Sequence, residues 1–305
     1  MVRPVFLVQP GAAPLSSFSP NPQRIDALKG AYADAIAARR NRMILGILVF
    51  ALVIVTSGWM AEVNLAKLAA RIGNFTSYIE RLAFLDNGAF VLTDIREWYW
   101  GITHWMRLLI ETLMIAYVGT IVGAVLGFAL CFPAARNLTR SALEMAVVRR
   151  FLEFCRTVPE IVFALIFVVA FGLGPLPGVL AIAIHTTGAL GKLFSEVVEN
   201  IDMKPVDGIV ASGGNRVQVI RFAVVPQVLS NFFSYTLLRF EINVRGAAIM
   251  GFVGAGGIGQ DLLESVRKFY YSDVSAILIL LIVTVFVIDM ATERARHALI
   301  GREAH

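Results

Sequence analysis

Charged side chains are scarce in this chain: 16% of its 305 residues are Asp, Glu, Lys or Arg, 57% are hydrophobic, and the mean hydropathy is +0.72. A water-soluble domain carries about a quarter charged residues, so the composition excludes that class and points to a protein embedded in a membrane. Cysteine is rarer still. Cys131 and Cys155 show neither a CxxC nor a Cys–His spacing, so they read as small buried hydrophobes, with no disulfide or metal site expected. A basic stripe with interleaved aromatics is also missing, which removes nucleic acid as the meaning of the +5 net charge. Gly254–Gly259 formally spells GxGxxG, but no strand precedes it and no βαβ unit surrounds it. Gly191-Lys192-Leu193 lacks the upstream glycine and the Ser/Thr of a phosphate-binding loop. The chain is therefore expected to bind no ATP and to hold no cofactor, metal or catalytic residue.

Long uncharged runs are what the sequence does contain. Met43–Ala61 and Thr112–Ala135 carry no charge and are long enough to cross about 30 Å of hydrocarbon. Val274–Ile288 is a shorter candidate. The run Ile161–Ile184 is interrupted by the helix-ending sequence Gly172-Leu173-Gly174-Pro175-Leu176-Pro177-Gly178, and reads as two spans meeting in a tight turn. With Val228–Gly251 this makes six spans in an all-α membrane protein. Basic residues fix the expected orientation. Arg24, Lys29, Arg39, Arg40 and Arg42 precede the first span; Arg136, Arg140, Arg149 and Arg150 follow the second; Lys192, Lys204, Arg216 and Arg221 follow the fourth; Arg294, Arg296 and Arg302 follow the last. Both termini should be cytoplasmic, whereas 62–111, with no basic excess, should lie outside.

The expected organisation is a polar tail over 1–42, a first span over 43–61, an external segment with an interfacial helix over 62–111, a core over 112–291 and a tail over 292–305. The first 42 residues are too long and polar for a cleaved signal peptide, so the first span is expected to be retained. Ile25, Leu28, Tyr32 and Ile36 recur at helical spacing, which suggests an amphipathic helix. Trp98, Trp100 and Trp105 suit an interfacial aromatic cluster.

Between the fourth and fifth spans lies 204–227, KPVDGIVASGGNRVQVIRFAVVPQ. Pro205 suits a first helical position, Gly213-Gly214-Asn215 suits a break, and a second short helix over about 216–223 would end before Pro226 opens the next span. A bent helix pair of this kind fits a partner's groove; an amphipathic connector is the plainer alternative. The spacing of Asp207, Gly208, Gly213 and Pro226 resembles the coupling loop of ABC-importer permeases, with Asp207, Gly208 and Ile209 departing from its Glu-Ala-Ala.

The fifth span carries charges that lipid does not tolerate. Arg239 falls near mid-membrane, and Glu241 and Arg245 follow it; each central charge costs about 2.5–3.5 kcal/mol facing lipid. Glu241 and Arg245 have the i,i+4 spacing of a helical ion pair. Tyr235, Arg239, Asn243 and Gly246 share another face, where Arg239 has no partner in its own helix; that face is the expected lining of an anion pathway, with His185 and Thr186 adding hydrogen-bond donors. Polar seams that only hold helices together are the alternative. Gly254, Gly256, Gly257 and Gly259 suit a gate or a close helix crossing.

Taken as a set, Arg156-Thr157-Val158-Pro159-Glu160, Gly172-Leu173-Gly174-Pro175, His185-Thr186-Thr187-Gly188, Gly191-Lys192-Leu193, Pro226-Gln227, Ser234-Tyr235, Arg239-Phe240-Glu241 and 253–259 look like the permease subunit of phosphonate ABC importers over about 111–289. The resemblance implies a type I importer architecture in the plasma or inner membrane. It also implies a second permease copy or homologue, two ATP-binding cassette subunits that hold the ATP and Mg, and an extracytoplasmic phosphonate-binding protein. Phosphate, phosphite or another small solute is the nearest alternative cargo. A secondary transporter would need no ATPase, and no inverted repeat is evident. A membrane-embedded hydrolase would need a convergent set such as His185 with Ser234 or Glu160.

Overall fold

The computed structural model describes residues 22–85, 87–139 and 141–300, and among them the regular elements are helices, with one isolated bridge between Phe84 and Phe90. The chain divides into two units at Gly73.

In the first unit, α1 runs unbroken over Pro22–Met60. At 1.5 Å per residue it is longer than a bilayer is thick, so the tail and the first span form one helix rather than a surface helix followed by a span. Leu45, Phe50 and Val55 are all more than 60% exposed, as suits a helix whose surroundings are lipid. Tyr32 and Ile36 are exposed too, while the Arg24, Ile25 and Leu28 side chains lie outside the described residues, as do residue 140 and 301–305. The 18-residue helix α2, Leu65–Leu82, begins in the first unit and ends in the second, and it starts where the Asn64 side chain accepts the Lys67 N–H. Leu68, Phe75 and Ile79 form an exposed apolar stripe along it, and Arg71 and Asn74 lie between them in sequence.

The second unit contains α3 (Ile95–Trp98), α4 (Ile102–Ala134), α5 (Ala142–Thr157), α6 (Glu160–Phe171), α7 (Pro175–Glu199), α8 (Lys204–Ala211), α9 (Arg216–Val219), α10 (Val225–Met250), α11 (Ile258–Lys268) and α12 (Tyr271–Ile300). Four described helices, α1, α4, α7 and α12, are long and apolar enough to cross a membrane alone; the bent pairs α5–α6 and α9–α11 raise the number to six. The expected turn at Gly172–Gly174 is present, but α6 has 12 residues and rises about 18 Å, too little for a full crossing. It continues α5 through an 85° bend at Val158-Pro159, where proline holds the preceding residue out of the helical region.

The centre of this unit is the crossing of α4 on α7, a feature absent from the expectations above. Gly119, Gly123 and Gly127 stand four residues apart on one face of α4. A Cβ at Gly119 would come within 2.7 Å of Ile182, and one at Gly123 within 2.6 Å of Thr186. Hydrophobic burial supplies little drive between helices in lipid, so van der Waals contact at such small-residue seams carries association. Trp98 and Trp105 are buried within the protein. Trp98 Nε1 donates to Ser275 Oγ (3.0 Å) and Ser272 O (3.2 Å), while exposed Trp100 donates to Asp273 (3.0 Å). Both cysteines are buried.

Candidate functional site

The linker between α7 and α10 builds a rigid projection. Pro205 occupies the first turn of α8, with Asp207 beside it at the positive end of the helix. Gly213 ends α8 at φ 81°, a left-handed conformation that glycine reaches without a Cβ penalty. Asn215 then starts α9 with a capping box: its side chain accepts the Gln218 N–H (3.0 Å), and Gln218 Oε1 accepts the Asn215 N–H (2.8 Å). The second helix does not end before Pro226. A π-helical turn over Ile220–Val224 carries α9 into α10, and it places Pro226 in the first turn, where a missing N–H costs nothing. Gln227 closes the base of the loop, accepting the Asp202 N–H (3.0 Å) and donating to Asp202 O (3.2 Å). Val210, Val217 and Phe222 project outward, and Arg216 pairs with Glu144 at 3.4 Å.

Within α10, the two polar faces behave differently. Arg245 contacts Glu241 directly; the carboxylate is buried and the guanidinium half exposed. On the other face, fully buried Asn243 donates to Thr120 Oγ1 (2.8 Å) and Thr186 Oγ1 (2.9 Å), tying α10 to α4 and α7. One turn earlier, Arg239 has partners that its own helix did not reveal. Its Nη2 donates to His185 Nδ1, and Glu160 Oε2 stands 3.9 Å from it. A guanidinium has no acceptor, so this side of the His185 ring serves as an acceptor and not as the expected donor. Glu160 Oε2 lies 3.6 Å from the same nitrogen. Gly246 makes the room, since any Cβ there would strike Glu160 Oε1.

Arg239 and His185 therefore come together with Glu160, and one turn along α10 Asn243 comes together with Thr186 and Thr120. Sequence reasoning missed the role of Glu160 there; the available signal was an acidic residue directly after Val-Pro, at the mouth of an apolar helix. Tyr235 stands apart, lining a cleft of about 530 Å³ with Glu196, Asn200, Asp202, Gln227 and Asn231. The glycine turn is braced at both ends. Gly254, Gly256 and Gly257 have φ of 82°, 84° and 80°, Gly174 N–H donates to Gly254 O (3.0 Å), and Gly257 and Ile258 N–H donate to Glu111 (3.0 Å) and Thr112 (2.9 Å) on α4. A Cβ at Gly259 would meet the Ala248 carbonyl, so this glycine permits a close crossing of α11 on α10.

Residues 132–302 match the family model described as the binding-protein-dependent transport system inner membrane component. The chain belongs to that family. The matched region of this permease holds the loop, Glu160, His185, the α10 cluster and the glycine turn, while α1, α2, Glu111 and Thr112 precede it. Among curated relatives, the phosphite transport system permease protein PtxC of Stutzerimonas stutzeri is 41% identical over 189 residues, 62% of this chain and 69% of that protein. The putative phosphite transport system permease protein HtxC of the same organism is 31% identical over 278 residues, 91% of this chain and 94% of that protein. The phosphate-import permease protein PhnE of Mycolicibacterium smegmatis is 37% identical over 193 residues, 63% of this chain and 36% of that protein. The fold is that of type I ABC importer permeases: a chain of the inward-facing MetNI methionine ABC transporter superposes with a TM-score of 0.57 at 20% identity, covering 64% of this chain and 95% of that one.

Proposed function

We propose that this permease is the pathway-forming subunit of an ATP-driven importer and that its cargo is phosphonate or a related small phosphorus oxyanion. The observation that carries the reading is the likeness to HtxC along nine-tenths of the chain. Supporting it, Arg239 presents a mostly buried guanidinium on α10. Such cargo carries one or two negative charges near neutral pH, and a guanidinium offers planar, charge-assisted donors that match its oxygens. Phosphate is the second reading, favoured by the phosphate-import relative.

In this proposal Arg239, Asn243, His185, Thr186 and Tyr235 border the pathway, and the Glu241–Arg245 pair within α10 maintains the packing of that helix. Gly254, Gly256, Gly257 and Gly259 form the gate region. The projection bearing Asp207, Gly208, Gly213 and Pro226 docks into a cytoplasmic ATPase, which holds the ATP and Mg. The full assembly pairs the chain with a second permease copy or homologue, two ATPase subunits and an extracytoplasmic binding protein, with both termini in the cytoplasm.

Reconstituted transport tests the reading. With the ATPase and binding protein present, Arg239→Gln should assemble normally and lower ATP-driven uptake of methylphosphonate at least ten-fold; normal uptake by an assembled complex removes Arg239 from the pathway. Gly213→Pro should leave the permease folded but uncouple ATP hydrolysis from uptake, because proline cannot adopt the left-handed φ at that position. Retained coupling would show that the loop is an ordinary connector.

A further inference from the structure

We infer that Glu160 is a resident counter-ion which the cargo displaces, so that an anion crossing the membrane occupies Arg239 only by exchange against the protein's own carboxylate. This rests on the pathway reading above and adds to it a mechanism that keeps the site weak.

The geometry of the cluster is the argument. Glu160 Oε2 stands 3.9 Å from Arg239 Nη2, close enough for attraction but too far for a hydrogen bond. A guanidinium has five N–H donors in a planar fork. Here Nη2 is given to His185, a neutral acceptor, and Nε is buried with no hydrogen-bond partner. Glu241 and Arg245, on the same helix, make the direct contact that the Glu160–Arg239 pair does not. The carboxylate is thus a loose neutraliser: it offsets the charge of Arg239 without filling the Nε–Nη edge. Nη2 carries two N–H groups, so a tetrahedral phosphorus oxyanion takes Nε and the Nη2 N–H that His185 leaves over.

The surroundings let the carboxylate give way. Glu160 is the first residue of α6, just past the 85° bend, so its side chain is not enclosed by helix on both sides. Gly246 carries no Cβ, so Glu160 Oε1 rests against the α10 backbone with no side chain there to hold it. About a quarter of the Glu160 side chain and about a seventh of the Arg239 side chain are exposed within this chain, so the pair is only partly covered. When cargo leaves, Glu160 returns, and Arg239 is never left uncompensated in a low-dielectric setting.

Equilibrium binding of radiolabelled methylphosphonate to the permease–ATPase complex, without binding protein, tests the exchange. Glu160→Gln removes the competitor and should tighten binding at least ten-fold while slowing ATP-driven release. A residue needed only for packing would weaken binding when changed. Glu160→Asp keeps the charge on a shorter arm and should tighten binding several-fold, which decides the matter where Glu160→Gln fails to assemble. Adding Arg239→Gln to either variant should abolish the gain. Unchanged or weaker binding in assembled Glu160 variants overturns the exchange but leaves the pathway reading intact so long as Arg239→Gln still loses uptake. Normal uptake by Arg239→Gln overturns both.

Discussion

Helix α10 neutralises its two arginines in opposite ways. Arg245 meets Glu241 four residues back on its own helix, in direct contact, with the guanidinium half exposed. Arg239 is mostly buried and depends on groups from two other helices, His185 on α7 and the more distant Glu160 on α6. A local pair forms as soon as the helix does and needs no other helix to hold it. A pair assembled across helices exists only in the folded protein and is altered by whatever shifts α6 against α10, which makes it suited to a site that must change during a transport cycle.

Replacing both members of each pair by leucine separates these roles most sharply. Exchanging a buried ion pair for apolar groups of similar volume is often neutral for stability, since it removes the desolvation cost along with the attraction. Glu160→Leu/Arg239→Leu should therefore remain folded, judged by monodisperse complex in detergent, and lose at least ten-fold in uptake. Glu241→Leu/Arg245→Leu should remain folded with uptake within two-fold of the parent. Equal losses in the two double variants would erase the distinction.

The same contrast marks what could be read from the sequence. The i,i+4 spacing of Glu241 and Arg245 is a property of one helix, and the helix-break-helix signals at Pro205, Gly213 and Asn215 are also local; both features appear in the structure at the expected residues. The company kept by Arg239 was illegible, because Glu160 is 79 positions away in the chain and is delivered by the 85° bend between α5 and α6. Pro226 opens the next span as expected, in the first turn of α10; the π-helical turn that joins α9 to it left no such local signal. The Gly119, Gly123, Gly127 spacing was visible but meaningful only with the opposing helix in view.

Breaking the local pair halfway is expected to have a smaller and purely structural effect. Glu241→Gln leaves Arg245 without its partner, and a fully buried arginine so treated would cost about 3–5 kcal/mol. Arg245 is half exposed, so it can turn toward solvent or headgroups, and the cost should fall to about 1–3 kcal/mol. Folded yield should drop several-fold, with uptake per assembled complex unchanged; a per-complex loss as large as that of Arg239→Gln would place this pair in the pathway as well.

Asn243 supplies the smallest expected effect and the finest division of the polar cluster. It is fully buried and donates to Thr120 and Thr186, yet its Oδ1 has no hydrogen-bond partner among the described residues. Each bond contributes about 1 kcal/mol net, while the unsatisfied carbonyl costs about 1–3 kcal/mol, so the side chain is close to neutral for stability. Thr120 keeps a bond to the Ala116 carbonyl whether or not Asn243 is present, so its hydroxyl is not stranded by the change. Asn243→Leu, of similar volume, should then shift thermal stability within about 1 kcal/mol. Uptake carries the information. If Oδ1 faces the cargo's route, or Asn243 holds Thr186 against it, the variant should lose a few-fold in uptake, less than Arg239→Gln because no charge is removed. Full uptake would confine the pathway to Arg239, His185 and Glu160 and make the Asn243 contacts a seam that only holds α10 to α4 and α7.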